Sequence, residues 1–386
     1  MREPDFVDEC YADKDLSLLK KLTLVIPTYN RNYYLSRCLW YHAHFPFGEI
    51  IVADSSPEEK KVVNRETVQK VREMFGANIR YLEYEPETEK YGGDIYRKWG
   101  DAVQHVETEY SLITTDKQFH LPSVLAHGIK YLDIHQEYVS IDWIKCRIQI
   151  NKDKTPQILI FRDHNFLTKS IIDEEPMKRY LHRCELGIDS SVFSLYRQNT
   201  HKYIYNHVQN LDLRFGEIFL DIAGYIYGKA IFDSTKVSLL RDLTLLHVNG
   251  NINRDESSTM RYPNLRDYYS SGVYNDFQKN FLETLKIVFY EHGYHLSQDE
   301  LNTLFYKLNT PKSISAALSL DRILMKWRGC YLVWDYVPER LKALLKRGMG
   351  YSDKRWELNI VPDEIQIISE YILDTISNHQ NDEPIL

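Results

Sequence analysis

Three observations predict an α/β fold built on a mostly parallel sheet. The first is an unbroken run of apolar or β-branched residues, Leu22 to Ile26, that leads straight into Pro27-Thr28-Tyr29-Asn30-Arg31. A short run of this kind reads as a strand covered on both faces, which is how parallel strands sit between layers of helices. The second is its echo one unit later, where Ile50–Ala53 runs into Asp54-Ser55-Ser56-Pro57. The third is the alternation of apolar runs with helix-period stretches, which gives the order β-α-β-α-β-α-β-α-β through residue 150 and hence right-handed crossovers.

Taken in order, residues 1–21 are a polar, acidic lead-in or short helix. Pro27 lacks an N–H and ends the first strand, leaving Thr28 to Arg31 at its carboxyl end, where ligands collect in open α/β sheets. NYYLSRCLWYHAHF carries Tyr34, Leu35, Cys38, Leu39 and His42 at helical spacing. Lys60–Phe75 is an amphipathic helix with Val63, Val68, Val71, Met74 and Phe75 near one face. Ile79–Tyr84 is a third strand. Lys90-Tyr91-Gly92-Gly93-Asp94 is a glycine-bearing loop into a helix, IYRKWGDAVQHV, and Glu109–Thr115 is a strand ending on Thr114-Thr115-Asp116-Lys117.

Phe119 to Ser123 then opens a helix through Leu132, and Tyr138–Ile150 and Gln157–Phe161 read as strands. Between 162 and 210 the pattern gives only a helix, a loop and a short strand or helix. Leu211–Tyr227 is a helix that precedes a strand over Lys229–Phe232. From Asp267 onward long amphipathic helices dominate (Tyr268–Gly293, Ser297–Leu308, Ser313–Trp327, Pro362–Asn378). The expected organisation is a lead-in at 1–21, an α/β domain at 22–260 and a helical C-terminal region at 261–386.

Composition narrows the function classes. The 386 residues are 43% hydrophobic and 27% charged, as in a folded globular protein. A net charge of −7 argues against general nucleic-acid binding. The five cysteines are scattered and never at metal-ligand spacing, which fits buried thiols in a reducing compartment. The N-terminal stretch has no apolar signal-peptide core, and no window reaches the roughly 18–20 apolar residues of a spanning helix. The expected location is cytoplasmic. The 29 tyrosines suit either sugar-facing surfaces or a core. The P-loop, the dinucleotide fingerprint, the G-x-S-x-G elbow and H-E-x-x-H are all absent from the sequence.

LTLVIPTYNR, IIVADSS, the segment GGDIYRKWGDAVQHVETEYSLITTDKQFHLPSVL and LRFGEIFLDIAGYIYGK together resemble the GT-A-fold, family-2-like bacterial glycosyltransferases, over about residues 20–250. The similarity is greatest to a divergent branch with weakened metal motifs, found in surface-polysaccharide loci. It implies a nucleotide-sugar donor cradled by Pro27, Thr28, Tyr29 and Arg31, with Asp54 on the base or ribose and Asp94, Lys98 and Thr115 at the nucleotide's border. The residue types suit those tasks: Tyr29 has a stacking face, Arg31 a fork of donors for phosphate, and Asp54 an acceptor. Asp94 and Lys98, four apart, also have the spacing of a helix-surface ion pair.

Family members carry Asp-X-Asp after this strand, because a hard divalent cation seeks carboxylate oxygens and bridges to a diphosphate. Here Thr114 stands at the first position and only Asp116 remains. The resemblance implies Mn²⁺ or Mg²⁺ on Asp116 with His247 as a late ligand, or else a metal-free diphosphate site in which Lys117 and Arg241 offset charge. It further implies an inverting transfer in which Glu217 or Asp221, on one helix face at i,i+4, is the general base. Asp189 is a further candidate on the side of a glycan or lipid-linked acceptor. The basic, Trp-bearing stretch 321–355 suits either a peripheral membrane contact or a solvated face. The degenerate motif leaves a second reading open, a non-catalytic GT-A-like glycan-binding or scaffold protein.

Overall fold

The computed structural model describes residues 15–86, 95–151, 157–162, 170–186, 191–242, 247–248, 251–252, 273–309 and 363–380. A single 3₁₀ turn, Ser17–Lys21, leads into β1 (Leu22–Thr28). The strands that follow are β2 (Glu49–Asp54), β3 (Ile79–Glu83), β4 (Tyr110–Ile113), β5 (Gln118–His120), β6 (Tyr138–Asn151), β7 (Gln157–Arg162), β8 (Leu195–Arg197) and β9 (Lys229–Asp242). A two-residue pair, β10 (His247–Val248) and β11 (Asn251–Ile252), comes after them. The helices are α1 (Asn32–His42), α2 (Glu58–Phe75), α3 (Ile95–Gln104), α4 (Pro122–Ile134), α5 (Pro176–Leu186), α6 (Gln198–Val208), α7 (Leu213–Tyr227), α8 (Val273–Glu291), α9 (Gln298–Asn309) and α10 (Asp363–Gln380).

The fold class is the expected one, α/β with further helices toward the C-terminus. Nine strands form one sheet in the order β3-β2-β1-β4-β8-β6-β9-β5, with β7 added on β6. The first four are parallel. Beyond β4 the sheet is mixed: β8 is antiparallel to both β4 and β6, while β6 and β9 run parallel. β1 is buried along its whole length, and its alternation divides the core. Leu22, Leu24 and Ile26 join a layer containing α1, α2, α4 and α10. Val25 faces the opposite layer, built from α3 and α5 to α9. The later helices α8, α9 and α10 thus supply apolar faces to the layers on either side of the sheet.

Several local expectations change. Pro27 does not end β1, which continues to Thr28. It pairs with Ala53 of β2 and lies past the last β4 partner, Ile113, so the sheet asks no N–H of it on that side. On α2 the buried positions are Lys61, Asn64, Val68 and Val71, a 3-4-3 stripe facing the sheet, whereas Val63 and Met74 are 46% and 53% exposed. The helix stops at Gly76, whose N–H still bonds to the Arg72 carbonyl and whose left-handed φ of 62° turns the chain out of the helix. Where sequence put the start of a helix at Phe119, strand β5 pairs with the far end of β9. That end was missed because polar residues interrupt β9, and its register with β6 shifts between Trp143 and Lys145. Tyr41, Tyr96, Tyr110, Tyr180, Tyr196, Tyr205 and Tyr225 are buried, so a core role takes much of the tyrosine content.

The α1 layer holds ionisable groups away from water. Arg37 Nη2 donates to Asp242 Oδ2 at 2.6 Å with both side chains buried, and its guanidinium lies over the Tyr33, Tyr34 and Phe119 rings. Tyr371 of α10 donates its hydroxyl proton to the Arg37 carbonyl (2.8 Å). His42 accepts the His120 backbone N–H at Nε2 (3.4 Å), which assigns the ring proton to Nδ1, 2.9 Å from the Cys38 carbonyl. Burial lowers the His42 pKa from 6.5 to about 4, and that of His201 to about 3.

The unfolded chain therefore binds more protons than the folded one as pH falls below about 6.5, so stability is full above that pH and is lost through pH 4. Urea unfolding followed across that window is expected to show a declining free energy. His42→Asn is expected to flatten the slope by about one proton.

Candidate functional site

The carboxyl ends of β1, β2 and β4 meet at Thr28. After Thr28 the chain reverses through Asn30, whose φ of 54° is a left-handed conformation that Asn tolerates better than most residues. The Asn30 N–H donates to Ser56 Oγ at 2.8 Å, and Arg31 caps α1. The Thr28 carbonyl accepts from the Ser55 N–H (3.3 Å) and from Lys98 Nζ (3.2 Å). Lys98 also donates to Ser55 Oγ at 2.8 Å. A helix-surface location for Lys98 is therefore corrected. It is a buried cation that ties β1 to β2, on the inward face of α3.

Asp54 is fully buried. Its Oδ1 accepts the Ser56 N–H (2.7 Å), and its Oδ2 accepts from Asn64 Nδ2 (2.7 Å) and the Tyr81 hydroxyl. Burial, with the Asp54 carboxylate adding to it, pushes the Tyr81 phenol up, which keeps it protonated as a donor. Asp54, which the resemblance implies on the base or ribose, has both oxygens engaged in holding the β2 turn. Asn64 and Tyr81 were missed because an Asn on a charged helix and a Tyr on a strand carry no signal of a shared partner.

After β4, Thr114 donates from its N–H to the Val25 carbonyl (2.9 Å) and from its hydroxyl to Gln118 Oε1 (3.3 Å). Gln118 Oε1 also accepts the Thr115 N–H at 2.8 Å. Asp116 is 1% exposed and is shared by two donors: Thr28 Oγ1 reaches its Oδ2 at 2.9 Å, and Arg31 Nη1 its Oδ1 at 3.2 Å. Beside it, Lys117 Nζ sits 4.1 Å from the centroid of the Tyr34 ring. The structure thus brings together Thr28, Arg31, Lys98, Thr115 and Asp116, with Asp54 beneath them.

A divalent cation fits this set poorly. Mg²⁺ and its relatives seek about six oxygen ligands, mostly carboxylate, phosphate or water. The described site supplies one carboxylate, with a guanidinium on one oxygen and a hydroxyl on the other. Thr114, at the position of the missing Asp, directs its hydroxyl at Gln118. Among the described residues no group of three His, Cys, Asp or Glu side chains has metal-binding geometry. The backbone of His247 lies in β10, while its side chain is outside the described set, as are Asp94, Asp189 and the stretch 321–355.

The two acids on α7 have different surroundings. Asp221 is buried and accepts from Arg183 at both oxygens, Nη2 to Oδ1 at 2.6 Å, Nη2 to Oδ2 at 2.7 Å and Nε to Oδ2 at 3.1 Å. The Arg183 guanidinium also sits 5.3 Å from the Tyr225 ring centroid. A carboxylate so held is poorly placed to take a proton from an acceptor, so its expected candidacy as base is corrected to a structural ion pair. Glu217, one turn earlier, is exposed. The i,i+4 spacing was misleading because Arg183 of α5 reaches Asp221 in the interior while Glu217 stays exposed. The first turn of α7 rests on α3: Tyr96 donates its hydroxyl proton to the Leu213 carbonyl (3.0 Å), and its ring fills the space where a Cβ on Gly216 would stand. Glu217 is thereby fixed to the helix that sends Lys98 into the strand ends.

No protein-family model matches the chain, and no curated protein matches it in sequence. Solved structures do. Residues 1–349 of S. aureus TarS match at 13% identity over 95% of this chain and 93% of that one, with a TM-score of 0.45. The same protein in complex with UDP-GlcNAc matches at 15% identity, with the same coverages and TM-score. The mannosyltransferase PcManGT from Pyrobaculum calidifontis, in complex with GDP-Man and Mn²⁺, matches at 14% identity over 92% of this chain and 87% of that one, with a TM-score of 0.40. No helix among the described residues is long and apolar enough to cross a membrane.

Removing one partner of a buried ion pair leaves the other charge uncompensated. Asp221→Ala is therefore expected to lose about 3–5 kcal/mol of stability. Chemical denaturation checks this, and an unchanged midpoint would return Asp221 to the candidates for chemistry.

Proposed function

We propose that the chain is a glycosyltransferase that moves a sugar from a nucleoside-diphosphate sugar to a glycan or lipid-linked acceptor in surface-polysaccharide synthesis, with inversion. The observation that carries this reading is the junction of Thr28, Arg31 and Asp116 at the carboxyl edge of parallel strands. That edge is where α/β sheets hold ligands, and there a guanidinium fork suits a diphosphate. The sequence resemblance implies a donor cradled by Pro27, Thr28, Tyr29 and Arg31, with Asp116 at its diphosphate.

Glu217 is the general base of the proposed reaction. Its carboxylate takes the proton of the acceptor hydroxyl as that oxygen bonds to the anomeric carbon. The bond from that carbon to the diphosphate breaks with its electron pair going to the leaving nucleotide. A hydroxyl is a poor nucleophile at neutral pH, and positioned general-base help contributes roughly 10²–10⁴-fold. The lone carboxylate at Asp116 also favours a second reading, a non-catalytic module that binds nucleotide or glycan.

Turnover measured over a panel of nucleotide sugars, as donor hydrolysis and as transfer to glycan acceptors, tests the assignment. Glu217→Gln is expected to lower kcat by about 10²-fold or more with donor binding unchanged. Nucleotide binding by the wild-type chain with no turnover on any acceptor would favour the non-catalytic module.

A further inference from the structure

Asp116 stands where the resemblance implies a metal ligand, yet it already holds a cation. Its Oδ1 lies 3.2 Å from Arg31 Nη1, and its Oδ2 is fixed by the Thr28 hydroxyl at 2.9 Å. The carboxylate is buried, whereas Arg31 is 27% exposed. The pair is therefore rooted in the protein at its anionic end and reaches the strand edge at its cationic end. A divalent ion on Oδ1 would have to displace the guanidinium or sit beside a like charge, and Thr114 supplies no second carboxylate in compensation.

The backbone around Arg31 is also constrained. The Asn30 N–H bonds to Ser56 Oγ, and Arg31 occupies the N-cap position of α1, whose first-turn N–H groups and dipole favour negative charge. A guanidinium presents several N–H donors in a planar fork, and the bond from Nη1 to Asp116 fixes one point of it. Two cations thus stand around one residue, Lys98 on the Thr28 carbonyl and Arg31 on the acid that the Thr28 hydroxyl holds. Lys98 is buried, so Arg31 is the one of the two that meets a ligand at the edge.

We propose that Arg31, oriented by Asp116, is the resident cation that receives the donor's diphosphate, in the place a divalent metal would otherwise take. This rests on the glycosyltransferase reading and deepens it. Asp116 is then a positioning residue that acts through Arg31. The leaving nucleotide's developing charge is met by a fixed guanidinium, and donor binding requires no added metal.

The test is calorimetric binding of UDP, GDP, CDP, dTDP and ADP, and of the matching nucleosides, to the full chain in EDTA and then in MnCl₂. For the best-binding nucleotide the expected affinity in EDTA is within about twofold of that in MnCl₂, where a metal-bridged diphosphate would show a much larger difference. Arg31→Ala is expected to weaken the diphosphate by about 30-fold or more while leaving the nucleoside unchanged. Arg31→Lys keeps the charge without the fork and is expected to recover only part of that loss. Asp116→Asn keeps an acceptor for Thr28 and is expected to show a smaller loss, again confined to the diphosphate.

Binding that disappears in EDTA and returns with MnCl₂ would overturn this inference while leaving the transferase reading intact. Equal loss of nucleoside and diphosphate in Arg31→Ala would mark Arg31 as structural and overturn it too. Failure of the wild-type chain to bind any nucleotide would bring down both.

Discussion

One residue, Thr28, holds the working edge of the sheet together. Its carbonyl gathers Ser55 from the end of β2 and Lys98 from α3, and its hydroxyl holds Asp116 after β4. Three strand ends far apart in sequence are thereby fixed around a single peptide unit. The lysine matters most in this cluster, because a buried ammonium is tolerated only where oxygen acceptors surround it. Thr28 and Ser55 are two such acceptors, so the β1–β2 junction and the burial of Lys98 depend on each other. Asp54 performs the matching task one layer down, where three donors converge on its carboxylate.

The parallel half of the fold was legible because its information is local. β1 and β2 are short apolar runs that end in polar turns, and α1 buries the helix-spaced residues Tyr34, Leu35, Cys38, Leu39 and His42. The part of the site carried by the strand-end turns was legible for the same reason, since Thr28, Arg31 and Asp116 follow directly from apolar strands. Pairings across the fold were not. Nothing near Asp221 announces that Arg183, on a different helix, takes both its oxygens. Helical spacing therefore put both acids on one face of α7, where tertiary cover made them unlike. For Lys98 the sequence left two readings open, a nucleotide-border residue and a helix-surface ion pair, because its acceptors lie on β1 and β2. The far end of β9 was lost because polar residues break its pattern, and β5 because three residues are too few to carry one.

Each face of the sheet holds a buried arginine–aspartate pair. On the α1 side, Arg37 and Asp242 form a pair closed off from water and roofed by aromatic rings. Such a pair gives little net stability against well-packed apolar residues of the same volume, but it is costly to break one partner at a time. It fixes the end of β9 against α1, and the Asp242 N–H in turn holds the Lys117 carbonyl at 2.8 Å. The residue next to Asp116 is therefore braced from the layer behind the sheet as well as from the strand ends in front of it.

The bond from Tyr371 to the Arg37 carbonyl joins residues 334 positions apart, and Glu364 accepts from the Ser123 hydroxyl across 241. A ribosome releases the chain from its N-terminal end, so the first βα units emerge long before the helix that roofs them. Until then the Arg37 carbonyl and the Phe119 ring lack their contacts with Tyr371. Loop closure over that span is slow compared with local folding. The nascent protein must therefore spend part of its synthesis with one face uncovered, when crowding and chaperone capture count for more than its final stability.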